Sequence, residues 1–445
     1  MRKNKKGTST LFLAIILSAL ILVESTYIAF VADLDRRLTY TRALKEQSEI
    51  YLASYDRQLF KTYGIYAFNK ANLNSIVFDE ILAANGYENG DVMYVSGMYA
   101  IDTEVLRHSV AVFYTYRASG IIFQRFRSQI IALIDQLGDG VVGTLREYIS
   151  SPSSGILGRI IDGGAEVAEA ISNAASALGL DESSGTVTYI TDLISTVSSL
   201  SHEAPDIGNG FDPSDMGFII NLLELNEAFY DLGADFNETF NFHACLYDYA
   251  ANNFDCMLEE DTSINGTSFQ AFHEDNESDC EYILTGLTGF SARALTDMYI
   301  YSVLFLRSFV INYTDPSISE TVTAAAELLS AVVSALSAGT VTLPPQVYQL
   351  IIVILLSEID AVIDLRTVLT GGEITFFSIG DIDAITVDYR DFLTMFMCFV
   401  PDNTILSRIK TIFDRDFPDY IVGIDTETDY RGRTITYEAQ YEFYQ

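Results

Sequence analysis

Four cysteines, Cys245, Cys256, Cys280 and Cys398, with His243 two residues from the first, are the groups of this chain best suited to metal or redox chemistry. Their spacings are H-x-C, C-x10-C and C-x23-C, and no C-x-x-C pair occurs, so the ligand spacing of a structural zinc site is missing. Outside the cell the same residues read as a disulfide among Cys245, Cys256 and Cys280, with its connectivity open. Cys398 sits in the apolar stretch TMFMCFV and reads as a buried free thiol. His108, His202, His243 and His273 are scattered, and the chain has no G-x-S-x-G, H-E-x-x-H or P-loop to recruit them. Carboxylate pairs such as Glu259/Glu260 and Asp381/Asp383 have the chemistry for acid–base work. Among 61 acids such pairs arise by chance, so they carry no weight. No catalytic residue, enzyme activity or cofactor is expected.

Acid clusters also raise calcium, because hard cations seek several oxygen ligands. The loop Asp261–Asp279 and the GFDPSD segment at 210–215 are the candidates for weak calcium binding, yet neither has EF-hand spacing. A solvated acidic surface is the plainer reading. Sequons at Asn237, Asn265, Asn276 and Asn312 fit an exposed body.

The charge balance explains where these groups must live. The 445 residues hold 26 Lys+Arg against 61 Asp+Glu, a net charge of −35, while 49% of the chain is hydrophobic. Such acidity excludes a nucleic-acid partner, since phosphate contacts need a basic face. The apolar content excludes global disorder. The opening MRKNKKG carries Arg2, Lys3, Lys5 and Lys6 without an acid, and from Thr8 to Ala32 the one ionisable residue is Glu24. As a helix, Thr10 to Val31 is about 33 Å long, enough for the hydrocarbon core of a bilayer. A cleaved secretory signal is the competing reading, with Ala29, Val31 and Ala32 resembling a cleavage site, but the apolar run is long for one. The positive-inside bias places Met1 in the cytoplasm and the body from Asp33 outside. Beyond Gly7, 22 basic residues face 61 acids, a net of −39 on the extracytoplasmic side.

The expected architecture is α+β and predominantly helical. A cytoplasmic basic tail (1–9) leads into a transmembrane helix (10–32) and then a stalk helix with the first part of the ectodomain (33–137). A Gly/Ser/Ala-rich insertion of short helices on loose linkers follows (138–215), and then a helical ectodomain with a C-terminal β-hairpin (216–445). The stalk carries one apolar stripe, Ala32, Leu34, Leu38, Ala43, Ile50, Tyr55 and Leu59, and nothing interrupts it before Gly64. Ile65–Phe68 and Val92–Ala100 read as strands and Asn74–Ala84 as a helix. Further helices are expected over Leu106–Ile134, Phe218–Asn253, Glu281–Tyr313, Ser319–Ser337 and Pro345–Leu369. The run Leu350–Leu356 in the last of these is too short to span a bilayer, and Glu358, Asp360 and Asp364 follow it, so a buried core helix is expected. Alternation of Ile435, Tyr437, Ala439, Tyr441 and Phe443 marks a small antiparallel sheet, paired across Asp429–Gly432 with Tyr420–Ile424.

Four blocks carry a family resemblance: STLFLAIILSALILVESTYIAF with YLASYDRQLFKTYGIYAF; VLRHSVAVFYTYRASG; CEYILTG with the Arg307 helix; and SEIDAVIDLRTVLTGGEI. Together they resemble single-span surface proteins with TadE/TadG-like N-termini, minor pilin-like components of tight-adherence (Flp-type) pilus systems. The resemblance implies a non-enzymatic pilus or envelope assembly component whose partners are the lipid bilayer and other envelope proteins, met through the N-terminal helix. It also departs from pilin processing, for cleavage after Gly7 would place Phe12 where such leaders commonly have Glu. Glu24, Glu358, Asp364 and Arg366 are the candidate assembly residues. For Glu24 the competing reading is that it reaches the outer headgroups, and for Glu358, Asp364 and Arg366 it is structural, an ion pair to Arg307 that anchors the helix in the core. A free-standing surface adhesin or binding module is the alternative function, and a surface hydrolase a more distant one.

Overall fold

A computed structural model describes residues 6–87, 92–114, 164–180, 184–203, 240–258, 278–336, 345–377 and 385–441. The chain divides into two compact units, Met1–Phe113 with Lys410–Gln445, and Tyr114–Ile409. The C-terminal strands thus group with the N-terminal helix, whereas the sequence reading had placed them with residues 216–409.

In the first unit, α1 (Lys6–Ala53) is one helix of 48 residues. It stops three residues before Asp56, whose carboxylate caps α2 (Arg57–Tyr63) by accepting from the Gln58 and Leu59 amides. The stalk is therefore broken at a side-chain cap, with neither Gly nor Pro at the break. Next come β1 (Phe68–Asn69), α3 (Ile76–Ala84), β2 (Met93–Ala100) and α4 (Thr103–Tyr114), and the C-terminal β5 (Tyr420–Tyr430) and β6 (Arg433–Gln440) complete a four-stranded antiparallel sheet. β5 is central. β2 pairs along one edge, while β6 and the short β1 share the other. The strand expected over 65–68 is reduced to Phe68–Asn69, and the helix expected over 106–134 begins at Thr103 and is described to Tyr114, its remainder lying outside the described residues.

The sheet is strapped along the second half of α1. Tyr430 Oη donates to Asp33 at 3.0 Å, Ser48 Oγ lies 3.0 Å from Thr426 Oγ1, and Tyr420 Oη donates to Asp56 at 2.8 Å. The lengths are close: the 20 residues from Asp33 to the end of α1 at Ala53 rise about 30 Å, and the ten strand steps from Tyr430 to Tyr420 about 34 Å. The buried stripe is Tyr40, Ala43, Leu44, Gln47, Ser48 and Tyr51, spaced as one helical face. It differs from the expected stripe, of which Leu34, Leu38 and Ile50 are exposed at 46%, 50% and 44%. The displacement arises because two polar residues belong to the buried face. Gln47 Oε1 accepts from the Val77 and Phe78 amides, supplying the cap that Ser75 does not give α3.

The second unit is mostly helical: α5 (Gly164–Ala177), α6 (Gly185–Glu203), α7 (Phe240–Asn252), α8 (Asp279–Thr285), α9 (Phe290–Thr314), α10 (Pro316–Leu336), α11 (Pro345–Leu369) and α12 (Tyr389–Met397), with the hairpin β3 (Ile374–Phe377) and β4 (Ile385–Val387). The next helix, α13 (Asp402–Asp416), begins in this unit and ends in the first. The helix expected over 281–313 is two. Gly286 takes a left-handed φ of 75° and ends α8, which L side chains resist, and α9 restarts at Phe290. Within 138–215, α5 and α6 are the short helices expected there, while the linkers at 138–163, 181–183 and 204–215 lie outside the described residues. Val167, Ile171, Ala175, Ile190 and Leu193 are buried, and both helices pack on α10. Residues 138–163 and 204–239 lie outside the described set, including the first part of the helix expected over 218–253.

Candidate functional site

Two assemblies are candidates: the bare half of α1, and the polar groups buried in the second unit. In α1 the apolar run has nothing against it. Leu11, Phe12, Leu13, Leu22, Tyr27 and Ile28 are each between 65% and 68% exposed, and none of its most apolar eighteen-residue window is buried. Thirteen of the residues from Leu11 to Val31 are Leu, Ile, Phe or Val. At about −0.3 to −0.6 kcal/mol each for insertion, they outweigh the roughly 3 kcal/mol that a central charge costs. The hydroxyls are satisfied within the helix, Ser18 on Ile15 O and Ser25 and Thr26 on Leu22 O, as a water-free surrounding requires. Glu24 is exposed on this segment. This helix is long and apolar enough to cross a membrane, and it stands uncovered by protein.

Two other helices meet the same criteria, Phe290–Thr314 and Gln346–Leu369, but 67% and 61% of their windows are buried in the protein. Their polar residues are turned to one another. Arg307 Nη1 pairs with Asp364, while its Nε donates to Phe376 O at 2.6 Å and Nη2 to Thr375 O at 2.8 Å, so one guanidinium ties α9 to both α11 and β3. The ion pair expected to anchor this helix is thus present. Asn312 Nδ2 donates to Asp360 at 3.0 Å and Ser357 at 3.3 Å. Asn312 is buried, so this sequon cannot carry a glycan while α9 and α11 are packed. Glu358 is buried on α11 and Arg366 is half-buried in its last turn. Glu358, Asp364 and Arg366 therefore do not form one exposed assembly surface, and they belong to the second unit whereas Glu24 belongs to the first.

A further polar cluster was not foreseen. Tyr389 Oη donates to Glu281 Oε1 at 2.7 Å, and the Met257 amide donates to the same oxygen at 3.0 Å. Glu281 Oε2 is buried with no partner among the described residues. Burial lifts the Glu281 carboxyl above the usual range, against the hydrogen bonds from Met257 and Tyr389. Arg390 Nη1 donates to Ala251 O at 2.7 Å and Phe254 O at 3.2 Å, and Arg408 Nη1 closes the end of α8 through Ile283 O and Leu284 O. Asp388 and Asp391 form a reciprocal capping box on α12, and burial, then the Asp388 carboxylate, push Asp391 up to about 7. On α9, burial raises Asp297 to about 6, partly offset by Arg293 at 3.6 Å.

The chemistry open to this cluster is narrow. Arg390 and Arg408 are spent on backbone carbonyls, Asp388 and Asp391 cap α12, Glu281 accepts from Tyr389 and Met257, and Asp297 lies beside Arg293. The four cysteines are free thiols, and the disulfide expected among Cys245, Cys256 and Cys280 is not formed in this structure. Cys280 is fully buried with Sγ donating to Phe254 O at 3.1 Å, and burial raises the Cys256 thiol to about 11. Such thiols remain protonated and unreactive at neutral pH. Cys398 is half-buried, its Sγ donating to Thr394 O. His243 Nδ1 lies 2.6 Å from Asp402 Oδ2, a pair that holds the start of α13 near α7. Among the described residues, no three His, Cys, Asp or Glu side chains converge as metal ligands. The calcium candidates at 210–215 and 261–277 lie outside the described residues, as do His273, Asn237, Asn265, Asn276, Glu259, Glu260, Asp381 and Asp383.

The sequence held one signal for the missed cluster. An acid in CEYIL and an arginine in YRDFLTMF each interrupt an apolar helical face, and a charge at such a position is retained only with partners. No family model, curated protein or solved structure matches the chain.

Proposed function

We propose that this chain is a membrane-anchored extracytoplasmic protein that serves as a minor pilin-like or envelope-assembly component of a tight-adherence type system. One observation carries the reading. The same unbroken helix is bare and apolar from Leu11 to Val31 and, from Asp33 onward, holds an antiparallel sheet against its side. That division separates a lipid- or helix-packing half from a body-bearing half, which is what a laterally assembling anchor needs. Glu24, on the apolar half, is the group to pair with a basic side chain or terminal amine of a neighbouring helix, since an acid in lipid is costly when alone. The four basic residues ahead of the span support an N-inside orientation, with the acidic body outside.

No catalytic role is part of this proposal. The test is affinity purification of the tagged full-length protein after cross-linking in its native membrane, paired with deletion of its gene. The proposal predicts recovery of pilus-machinery proteins and altered pili. Unchanged pili together with no such co-purification would overturn it and leave a free-standing surface adhesin as the reading.

A further inference from the structure

We infer that the β5–β6 hairpin tip, Arg431–Gly432–Arg433, is a second membrane contact that binds the headgroups of anionic phospholipids beside the anchor helix. The inference rests on the anchor reading of α1 and holds for either orientation of that helix.

Height comes first. Tyr430 Oη donates to Asp33 at 3.0 Å, and Arg431 Nη1 lies 3.4 Å from the same carboxylate. Asp33 is two residues past Val31, the end of the bare apolar run, so the Tyr430 hydroxyl and the Arg431 guanidinium meet α1 about 3 Å along the axis from the hydrocarbon boundary. The headgroup layer is about 5–8 Å deep on each side, so these two groups fall inside it.

Charge comes second. Arg36 and Arg37 on α1 join Arg431 and Arg433 at this end, against Asp33, Asp35 and Asp429 among the described residues. Among the described residues the four arginines exceed the acids here by one, in a chain with 26 basic against 61 acidic residues. Near an anionic surface each such arginine contributes about 1 kcal/mol. Arg37, Arg431 and Arg433 are exposed. Tyr40, Tyr87 and Tyr430 cluster behind them, with ring centroids 6.0 Å and 5.1 Å from Tyr40, and Arg36 and Arg431 lie over the rings of Tyr87 and Tyr430. Tyr40 and Tyr430 are buried, so these rings do not meet lipid but form the wall against which Arg36 and Arg431 are braced.

Backbone conformation comes third. Tyr430 pairs with Arg433, leaving a two-residue turn in which Arg431 has φ 51° and Gly432 φ 74°. Both central residues are left-handed, as in the hairpin turn that favours Asn-Gly. Gly432 suits it, but Arg431 is the one non-glycine with positive φ among the described residues. Its exposed ion pair to Asp33 is worth at most about 1 kcal/mol, no more than the roughly 1–3 kcal/mol of strain in the conformation. An arginine at this position is better accounted for by a phosphate beyond the tip, which its planar fork binds bidentately.

The chain contains no tryptophan, so single tryptophans are clean reporters in the full-length protein. Three variants are reconstituted in phosphatidylglycerol-containing and in pure phosphatidylcholine vesicles with nitroxide-labelled lipids. They are Thr434→Trp at the tip, Met98→Trp further up the sheet opposite Ile424, and Phe30→Trp on the bare helix. The expected result is headgroup quenching of Thr434→Trp several-fold greater than of Met98→Trp in the anionic vesicles. It should be largely lost in phosphatidylcholine and in the background Arg431→Gln/Arg433→Gln. Equal quenching of Thr434→Trp and Met98→Trp, with Phe30→Trp quenched by acyl-chain nitroxides, overturns the inference and leaves the anchor standing. Quenching of Thr434→Trp that ignores both lipid charge and the arginine replacements overturns the headgroup recognition. Failure to quench Phe30→Trp overturns the anchor reading and this inference with it.

Discussion

The apolar half of α1 and the middle of α11 are alike in composition and opposite in surroundings. Leu11–Val31 is bare, whereas Tyr348, Ile351, Ile352 and Leu355 are each no more than 1% exposed. Hydropathy does not separate them, since the mean values of their windows are 2.2 and 1.8. What separates them is the disposition of polar groups. In α1 the Ser18, Ser25 and Thr26 hydroxyls fold back on their own helix, and every charge except Glu24 stands beyond the ends of the apolar run. In α11, Ser357, Asp360 and Asp364 reach across to Asn312 and Arg307. A helix whose polar residues have partners in the same chain is a core helix, and one whose polar residues are satisfied internally is free to enter lipid.

The sharpest way to break this comparison is one substitution made at both sites. Ile352→Arg puts an unpaired charge into the second unit and should cost more than about 4 kcal/mol, seen as loss of the cooperative thermal transition in detergent. Leu20→Arg, on the bare helix, should leave that transition within about 0.5 kcal/mol of wild type, since it touches no protein. Equal melting of the two variants would erase the distinction.

Next in size is the Arg307 tie. Arg307→Leu strands Asp364 and the carbonyls of Thr375 and Phe376, and chemical denaturation should show a loss of about 2–3 kcal/mol. Arg307→Lys should recover less than half of it, because an ammonium cannot hold three acceptors in that plane. Full recovery by lysine would mean that charge alone matters.

The smallest effect is a pH dependence confined to the second unit. Folding raises the Asp297 carboxyl to about 6 from an unfolded value near 3.9. The folded protein therefore binds more protons between those values, and stability falls as pH rises through that window. Asp297→Asn avoids this loss. It should stabilise the protein by about 1–2 kcal/mol at pH 7 and confer no advantage below about pH 4. Denaturation midpoints at the two pH values check it, and a variant less stable at pH 7 would show that the Arg293 pair outweighs burial.

Features resting on local pattern were legible in the sequence. The N-terminal helix and α11 each declare themselves by an apolar run with charged or proline boundaries, and residues 345–369 were bounded correctly because Pro345 starts the helix and GG follows it. The hairpin was legible from alternation, with its turn at Arg431–Gly432 inside the expected Asp429–Gly432. What the sequence hid depends on distant partners. The α1 stripe was misplaced because Gln47 and Ser48 look like surface residues until α3 and Thr426 are known to cover them. The Glu281–Tyr389 contact joins residues 108 apart. The β3–β4 hairpin has only three and four residues per strand and no two-residue turn to announce it.

The central claim is that Leu11–Val31 holds this protein in a bilayer. Alkaline carbonate extraction of native membranes tests it, comparing wild type with Leu17→Arg/Leu20→Arg. Two central charges cost about 5–7 kcal/mol of insertion, enough to cancel most of the gain from the apolar run. The account predicts that wild type stays in the membrane pellet while the double variant, with an unchanged thermal transition in detergent, moves to the supernatant. Release of the wild type at high pH, or retention of the double variant, would contradict it.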